Sequence, residues 1–349
     1  MRRGRIAWKL GFAAAATTIL WACVASSAFG AFPYTRPGGD PKDFTDLYLT
    51  PSSPVPNDLG GDGNTFKFAS TPDPANTLVN SSPVELGGVR GAHLADADRS
   101  AAQAVQTTLG RPDVTIAVLD SGIEWSDAGA MAELRRKTRL NRGELPLPQA
   151  DLATAIASPS SNDCPGFEAG VYDANRDAVF NLEDYACDSR VAAVLEGDGR
   201  RVGPAGVLTP QDLIIAFSDS GDGDGNGFAD DIAGWDFLDD DNDPFDDVEY
   251  GHGTGEARDS GAETDNGDQM GTCPNCMLVS LRVGDSFIAD VNAFAQATLY
   301  ATDNDVQVVQ EALGTMNNST LARAAVDYAY RHGVTVIASA ADEAAQHNN

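Results

Sequence analysis

The sequence has 349 residues, which is enough for one large domain or two small ones with a sizeable buried core. Hydrophobic residues make up 42% of the chain, and this excludes a mostly disordered protein and a membrane protein with several spans. The 52 acidic residues outnumber the 23 basic ones and give a formal net charge of -29, so we expect no nucleic-acid partner, because such a surface repels phosphate backbones.

Residues 1–30 have the pattern of an export signal. Four basic residues stand among the first nine, an apolar run extends from Leu10 to Ala25, and small residues then permit cleavage before Ala31. The apolar run is shorter than the roughly 20 residues that a membrane-spanning helix needs. We predict a secreted protein with no membrane contact beyond this signal. A lipid anchor on Cys23 is a minor alternative, since residues 20–23 loosely resemble a lipoprotein box.

Residues 31–90 contain nine of the 18 prolines together with many Gly, Ser and Asn residues, a composition typical of an extended arm or linker. A folded domain is predicted from 91 to 349. It begins with a helix over 95–109 and a strand over 114–119, whose continuous apolar run indicates burial on both faces of a sheet.

The stretch 128–276 is acidic and Gly-rich, has few strand signals, and is interpreted as elaborated loops. After it, the pattern predicts strands and helices in the order 277–283 (strand), 288–302 (helix), 306–309 (strand), 319–332 (helix) and 334–338 (strand). This order predicts an α/β fold with a doubly wound, mostly parallel sheet, which places ligands at the carboxyl ends of the strands. Asp120, Glu311 and Asp342 stand at such ends. A dinucleotide-binding enzyme is disfavoured because no GxGxxG follows the first strand.

After removal of the signal four cysteines remain, an even number that suits an oxidising compartment. Their order in the chain predicts the disulfides Cys164–Cys187 and Cys273–Cys276. Zinc is the alternative at the second pair, but the sequence has no second CxxC and no HxxxH to complete a site. A redox role fits less well, because this CxxC precedes a strand.

Two acidic loops have the spacing of calcium-binding loops, in which alternate residues converge on one ion. Oxygen donors occupy positions 1, 3, 5, 9 and 12 of the first loop, with a backbone carbonyl at position 7: Asp173, Asn175, Asp177, Val179, Asn181 and Asp184. Position 6 is Ala178 in place of Gly, and position 12 is Asp in place of Glu. A solvated acidic turn is therefore the alternative to a Ca2+ site.

The second acidic loop has donors at positions 1, 3, 5 and 9 and the expected glycine, Gly227, at position 6. Its predicted ligands are Asp222, Asp224, Asn226, Phe228 (through its carbonyl), Asp230 and Asp231. A phosphate-binding loop is disfavoured, since three carboxylates would repel phosphate and no Lys follows. A further acidic run at 239–247 fits a solvated face as well as a third site.

A candidate catalytic pair consists of Asp120, at the end of the first strand, and His252, which lies between glycines in the segment GHGTG. A strand-terminal Asp alone is weak evidence, because many cap helices. Glycines beside a histidine are typical of an exposed loop in which other groups approach the ring. A buried carboxylate that holds the Nδ1 hydrogen of a histidine leaves Nε2 free as a base. We therefore expect these two side chains to meet.

The motifs DSGI at 120–123 and HGT at 252–254, with the β-α-β segment that follows, resemble the subtilisin-like serine proteases, or subtilases, over about residues 90–349. The resemblance implies a serine endopeptidase that acts on polypeptides, with Asp120 as orienting carboxylate and His252 as general base. It also implies that peptide substrates lie along the segment Ala312, Leu313 and Gly314, and that the acidic insertions bind Ca2+. We expect a monomer.

The sequence departs from the subtilase pattern in three places. Glu256 and Arg258 introduce charge after HGT, where the family has His-Val-Ala-Gly. Asp342 replaces the Asn of the oxyanion hole. An ionised carboxylate there would repel the developing oxyanion and slow the enzyme, whereas a protonated one could donate a hydrogen bond to it. The nucleophile of the family, in Gly-Thr-Ser-Met-Ala, does not occur before Asn349. We expect a chain truncated before that serine and inactive alone; the alternative is a non-catalytic secreted pseudoprotease that binds peptide or calcium.

Overall fold

The computed structural model describes residues 32–33, 109–125, 133–156, 164–197, 207–248, 251–264, 266, 271–285, 288–315 and 319–339. The predicted signal peptide, nearly all of the predicted arm, the predicted helix before residue 109, and Asp342 lie outside these residues. Within the described ranges, no helix combines the length and the apolar character that crossing a membrane requires.

The strands form one parallel sheet in the spatial order β2-β3-β1-β4-β5. Their bounds are Thr115–Asp120 (β1), Gly234–Asp236 (β2), Met277–Arg282 (β3), Val308–Glu311 (β4) and Thr335–Ala338 (β5). β1 pairs with β3 on one side and with β4 on the other, so the order of strands reverses beside its carboxyl end. In such sheets a crevice opens at this point, outside the carboxyl ends of the strands. The predicted parallel α/β architecture is confirmed.

The described helices are Leu134–Lys137 (α1), Ser189–Gly197 (α2), Pro210–Phe217 (α3), His252–Gly261 (α4), Val291–Asp303 (α5) and Thr320–Arg331 (α6), with short 3-10 helices at Cys164–Gly166 and Leu182–Tyr185. Helices α5 and α6 and strands β1, β3, β4 and β5 confirm the predicted elements within a few residues. Ser319 caps α6 as expected, since its Oγ accepts the backbone N–H groups of Leu321 and Ala322.

The interpretation of 128–276 as loops holds for most of its described residues but is incomplete, because the short helices α1 to α4 and strand β2 also lie there. These elements are short, and β2 has only three residues, Gly234–Asp236. Helix α4 has the sequence HGTGEARDSG, which consists mainly of glycines and of polar or charged residues and therefore has no apolar stripe at helical spacing. Such a helix depends on tertiary packing, which a periodicity argument cannot detect. Gly253 shows this packing, because a Cβ there would lie 2.3 Å from the carbonyl oxygen of Gly122.

The sheet separates two hydrophobic clusters. Ile116 and Val118 face a cluster that includes Trp125 and Leu278. The alternate residues of β1, Ala117 and Leu119, face a second cluster, to which α5 contributes Ala293, Ala297 and Tyr300. Because both faces of β1 are covered, all six of its residues are buried, as its continuous apolar run predicted.

Both predicted disulfides are present, between Cys164 and Cys187 and between Cys273 and Cys276. The second pair lies against Gly110, where a Cβ would come 2.1 Å from the sulfur of Cys273. The two sulfurs of the CxxC are bonded to each other, so this segment is not a zinc site.

Candidate active site

The structure brings Asp120 and His252 together at the carboxyl edge of the sheet. Nδ1 of His252 lies 2.8 Å from Oδ1 of Asp120. The Asp120 side chain is completely buried, whereas 15% of the His252 side chain is exposed. Because an ionised carboxylate only accepts hydrogen bonds, Nδ1 carries the hydrogen and Nε2 keeps a lone pair.

The carboxyl group of Asp120 is held by two donors. Its Oδ1 accepts the Ser121 backbone N–H at 2.8 Å in addition to His252. Burial raises the pKa of Asp120, and the hydrogen bonds from His252 and Ser121 oppose this shift. The pair therefore places a buried carboxyl group behind a partly exposed imidazole, which is the arrangement that orients a general base.

His252 is the first residue of α4, not part of an exposed loop as its glycine neighbours suggested. Gly251 precedes it with a φ of +65°, a conformation that glycine adopts without strain. Gly253 packs against the turn after β1, where a Cβ would lie 3.0 Å from the Cβ of Asp120. The glycines therefore permit close approach, and the imidazole itself is directed by the helix.

Glu256, one of the residues that depart from the subtilase pattern, lies one helical turn after His252 on α4. The side-chain amide of Gln310, on β4, donates a hydrogen bond of 2.8 Å to its Oε2. Burial raises the pKa of Glu256, the nearby His252 lowers it, and Asp120 raises it. The introduced charge thus belongs to the surroundings of the Asp–His pair and links α4 to β4.

The predicted peptide-binding segment follows β4 directly. Leu313 is buried, Ala312 is half-buried and Gly314 is exposed. The carbonyl of Gly314 accepts the backbone N–H of Ala289 at 2.9 Å, so part of this backbone is already paired. The segment emerges from the strand next to β1, on the same edge of the sheet as Asp120.

In the first acidic loop, both oxygens of Asp184 accept backbone N–H groups: Oδ1 from Ala174 at 2.7 Å and Oδ2 from Asn181 at 2.9 Å. Burial raises the pKa of Asp184 to about 8. The side chains of Asn175 and Asp177 bond to each other at 2.9 Å. Within the described residues, this loop does not gather three carboxylates around one point.

Val179 occupies position 7 of this loop, and its backbone N–H donates to Asp177 at 2.8 Å. Oδ1 of Asp173 is buried without a hydrogen-bond partner among the described residues. Ala178 has a φ of +77°, the backbone conformation for which calcium loops use glycine at this position. The left-handed backbone expected at position 6 is therefore present, and the side chains of the loop mostly accept its own backbone N–H groups.

In the second acidic loop, Asp224 and Asp231 meet Glu144, and each contributes an oxygen within 4.8 Å of the others. Amide groups of Asn141 and Asn226 donate to Asp231 at 2.6 and 2.9 Å. Burial raises the pKa of Asp231 to about 6. Glu144 and Asn141 were not predicted, because they lie about 80 residues before the loop and no spacing rule connects them to it.

The remaining predicted residues of this loop have other contacts. Asp222 accepts the backbone N–H groups of residues 225–227, and Asp230 accepts those of residues 219–220. The ring of Phe228 packs in an aromatic cluster with Trp235, Phe237 and Tyr300. These contacts shape the loop around Glu144, Asp224 and Asp231.

Parts of the chain are similar to known proteins. The subtilase family model matches residues 111–349. A thermophilic serine proteinase of Bacillus sp. (strain AK1) is 35% identical over 114 residues, which are 31% of this chain and 27% of that protein. Thermitase of Thermoactinomyces vulgaris is 37% identical over 112 residues, 31% of this chain and 39% of thermitase. A crystal structure of MycP1 with its N-terminal propeptide removed aligns at a TM-score of 0.26 and 23% identity, over 30% of this chain and 35% of that one.

The matched regions therefore span well under half of these relatives, from 27% to 39% of the two curated proteins. The family model, in contrast, covers more than half of this chain and includes both Asp120 and His252. Since that model matches residues 111–349, the chain belongs to the subtilase family.

Proposed function

We propose that the protein is a secreted, calcium-stabilised serine endopeptidase that hydrolyses peptide bonds with an Asp-His-Ser triad. The observation that supports this most is the 2.8 Å contact between the buried Asp120 and the partly exposed His252. His252 takes the proton of the serine hydroxyl through Nε2 while the serine oxygen attacks the peptide carbonyl carbon. The imidazolium, stabilised by Asp120, then gives that proton to the leaving amine, and water releases the acyl group by the same steps.

The nucleophile is proposed to come from sequence beyond Asn349, because Gly-Thr-Ser does not occur in these 349 residues. Asp342 is assigned to the oxyanion position by resemblance. Ala312, Leu313 and Gly314 are assigned to the substrate strand, which a peptide extends through backbone hydrogen bonds. The position of this segment beside β1 supports the assignment, since it brings a bound peptide to the edge that carries His252.

Glu144, Asp224 and Asp231 are the residues proposed to hold Ca2+. Three carboxylates that approach within 4.8 Å repel one another, and a divalent cation between them would remove that repulsion. Asp231 is completely buried, which favours a site with few directions open to solvent. The bound ion would join residues far apart in the chain and so stabilise the native state by mass action. The first acidic loop stays a weaker Ca2+ candidate, since among the described residues it does not bring three carboxylates together.

Secretion is supported by the leader pattern at 1–30 and by the two disulfides, which persist in oxidising compartments. Export would also bring the acidic loops into a medium in which calcium is available. Signal cleavage before Ala31 is checked by N-terminal sequencing of the exported protein. Retention of the leader in the exported protein would contradict it.

The experiment that tests the proposed activity uses a longer protein, which includes the sequence encoded after Asn349 and with it the expected serine. We expect it to cleave an unfolded polypeptide and to be labelled by a serine-directed phosphonate. His252→Ala should lower kcat by about four orders of magnitude or more, whereas His332→Ala, at the end of α6, should leave it unchanged. Equal activity of the two variants would refute the role of His252.

The 349-residue chain alone should not be labelled by the phosphonate, because it lacks the family's nucleophile. Stoichiometric labelling would show a serine that this assignment overlooks. A non-catalytic secreted module that binds peptide or calcium is the second candidate, favoured by the absence of Gly-Thr-Ser. A reading frame that closes at Asn349 would select that second function.

A further inference from the structure

Asp246 stands in the acidic run 239–247, for which the sequence left a solvated face and a third calcium site equally open, and it is only 2% exposed. Its Oδ2 accepts the hydroxyl of Thr254 at 2.8 Å and the backbone N–H of Thr254 at 3.3 Å. The side chain of Ser121 is a further hydrogen-bond partner. A buried carboxylate with these partners is structural and is not part of a solvated face.

These contacts satisfy the first turn of α4, the helix that begins with His252. The first N–H groups of a helix have no partner within it, and Gly251 at the N-cap offers no side chain to accept them. The N–H of Gly253 donates to Ser121 Oγ at 2.9 Å, and that of Thr254 donates to Asp246. The helix is therefore capped from outside, and the negative charge of Asp246 lies at its N-terminus, where the helix dipole favours an anion.

The same residues bind the turn that follows Asp120. Ile123 pairs with Phe245, and its N–H donates to the carbonyl of Pro244 at 3.3 Å. The packing is tight, because a Cβ on Gly122 would lie 2.6 Å from the backbone nitrogen of Asp246. The segment 244–246 thus lies directly on the turn after β1.

Thr254 completes the connection. Its Oγ1 accepts the backbone N–H of Glu124 at 2.7 Å while it donates to Asp246. One carboxylate therefore joins the residues that follow Asp120 to the residues that follow His252. Loss of Asp246 would leave the Thr254 hydroxyl and N–H without their acceptor inside the protein, and the first turn of α4 would lose its fixed position.

We propose that Asp246 is a positioning residue that holds His252 against Asp120 by capping α4 from outside the helix. It does not touch the reacting atoms. This inference rests on the proposed function for its effect on catalysis, but the geometry of the Asp–His pair can be tested separately.

The test compares Asp246→Ala and Thr254→Val with Thr254→Ser, which keeps the hydroxyl, in the protein read on past Asn349. Asp240→Asn is the matched control, since Asp240 is an exposed member of the same acidic run with a φ of +58°, which Asn tolerates. A misplaced base costs up to about a hundredfold, so we expect Asp246→Ala and Thr254→Val to lower kcat by about tenfold to a hundredfold with KM within about twofold. Thr254→Ser and Asp240→Asn should stay close to wild type.

The second readout is the low-field proton NMR resonance of His252 Nδ1–H, which requires the hydrogen bond to Asp120 and not proteolysis. We expect this resonance to be lost or broadened in Asp246→Ala and kept in Asp240→Asn. Unchanged kcat and an unchanged resonance in Asp246→Ala would overturn the proposal. If that variant does not fold, Thr254→Val decides, because valine keeps the shape of threonine. A wild-type protein with the resonance but no hydrolysis would refute the proposed function alone.

Discussion

The pKa of Glu311 allows a quantitative test of how strongly the carboxyl edge of the sheet buries an acidic side chain. Glu311 ends β4 opposite Leu119, the residue before Asp120. Burial raises its pKa from 4.5 to about 7, with a further contribution from the charge of Asp120, while the N–H of Leu313 opposes the shift. Above pH 4.5 the unfolded chain releases this proton, whereas the folded protein keeps it until about pH 7.

The folded state therefore binds more protons in this window, and the free energy of unfolding falls as the pH rises from 4.5 to about 7. A shift of this size corresponds to at most about 3.4 kcal/mol. Because the side chain is only half-buried, solvent screening reduces the effect, and we expect about 2 kcal/mol. Glu311→Gln removes the ionisation while it keeps the shape of the side chain.

The assay is urea unfolding of wild type and Glu311→Gln at pH 5 and pH 8. From pH 5 to pH 8 the free energy of unfolding of Glu311→Gln should rise by about 2 kcal/mol relative to that of wild type. The reason is that only wild type must ionise a buried carboxyl group over this range. Asp327→Asn is the control, since 64% of the Asp327 side chain is exposed. Other buried acids titrate equally in both proteins and cancel. Identical pH dependence of wild type and Glu311→Gln would refute the burial argument.

Two further stability measurements test other parts of the structure. Calcium should raise the midpoint of thermal unfolding, and at a free calcium concentration of 100 times Kd the stabilisation should be about 2.7 kcal/mol. Asp224→Asn should reduce this stabilisation. Identical melting curves in calcium and in chelator would contradict the proposed site. Replacement of Cys164 and Cys187 by Ser should lower the free energy of unfolding by about 3 kcal/mol, because this disulfide closes a loop with a sequence separation of 23. Replacement of Cys273 and Cys276, whose separation is 3, should lower it by roughly half as much. Urea unfolding of the two double variants measures the difference, and equal losses would argue against the chain-entropy explanation.

The sequence alone was sufficient to predict the central strands, because a strand buried on both faces needs a continuous apolar run such as 114–119. It was sufficient for the cap of α6 at Ser319 as well, since capping is a local rule that involves residues two or three positions apart. The disulfides also followed from sequence, since only four cysteines had to be paired. The strands and the helix cap depend on residues close together in the sequence, and four cysteines can be paired in only a few ways.

Only the tertiary structure assigned Asp246 and Glu144 to their partners. Both are acidic residues in an acidic chain, and nothing in their neighbours distinguishes a buried acceptor from a solvated carboxylate. Asp246 accepts the hydroxyl of Thr254 because the chain folds α4 back onto the turn after β1. Glu144 accepts the backbone N–H of Asp224 because it lies against a loop about 80 residues away in the sequence. Sequence motifs identified Asp120 and His252 as chemical groups, but their 2.8 Å contact depends on packing between an early strand and a glycine-rich helix whose stability comes from its neighbours.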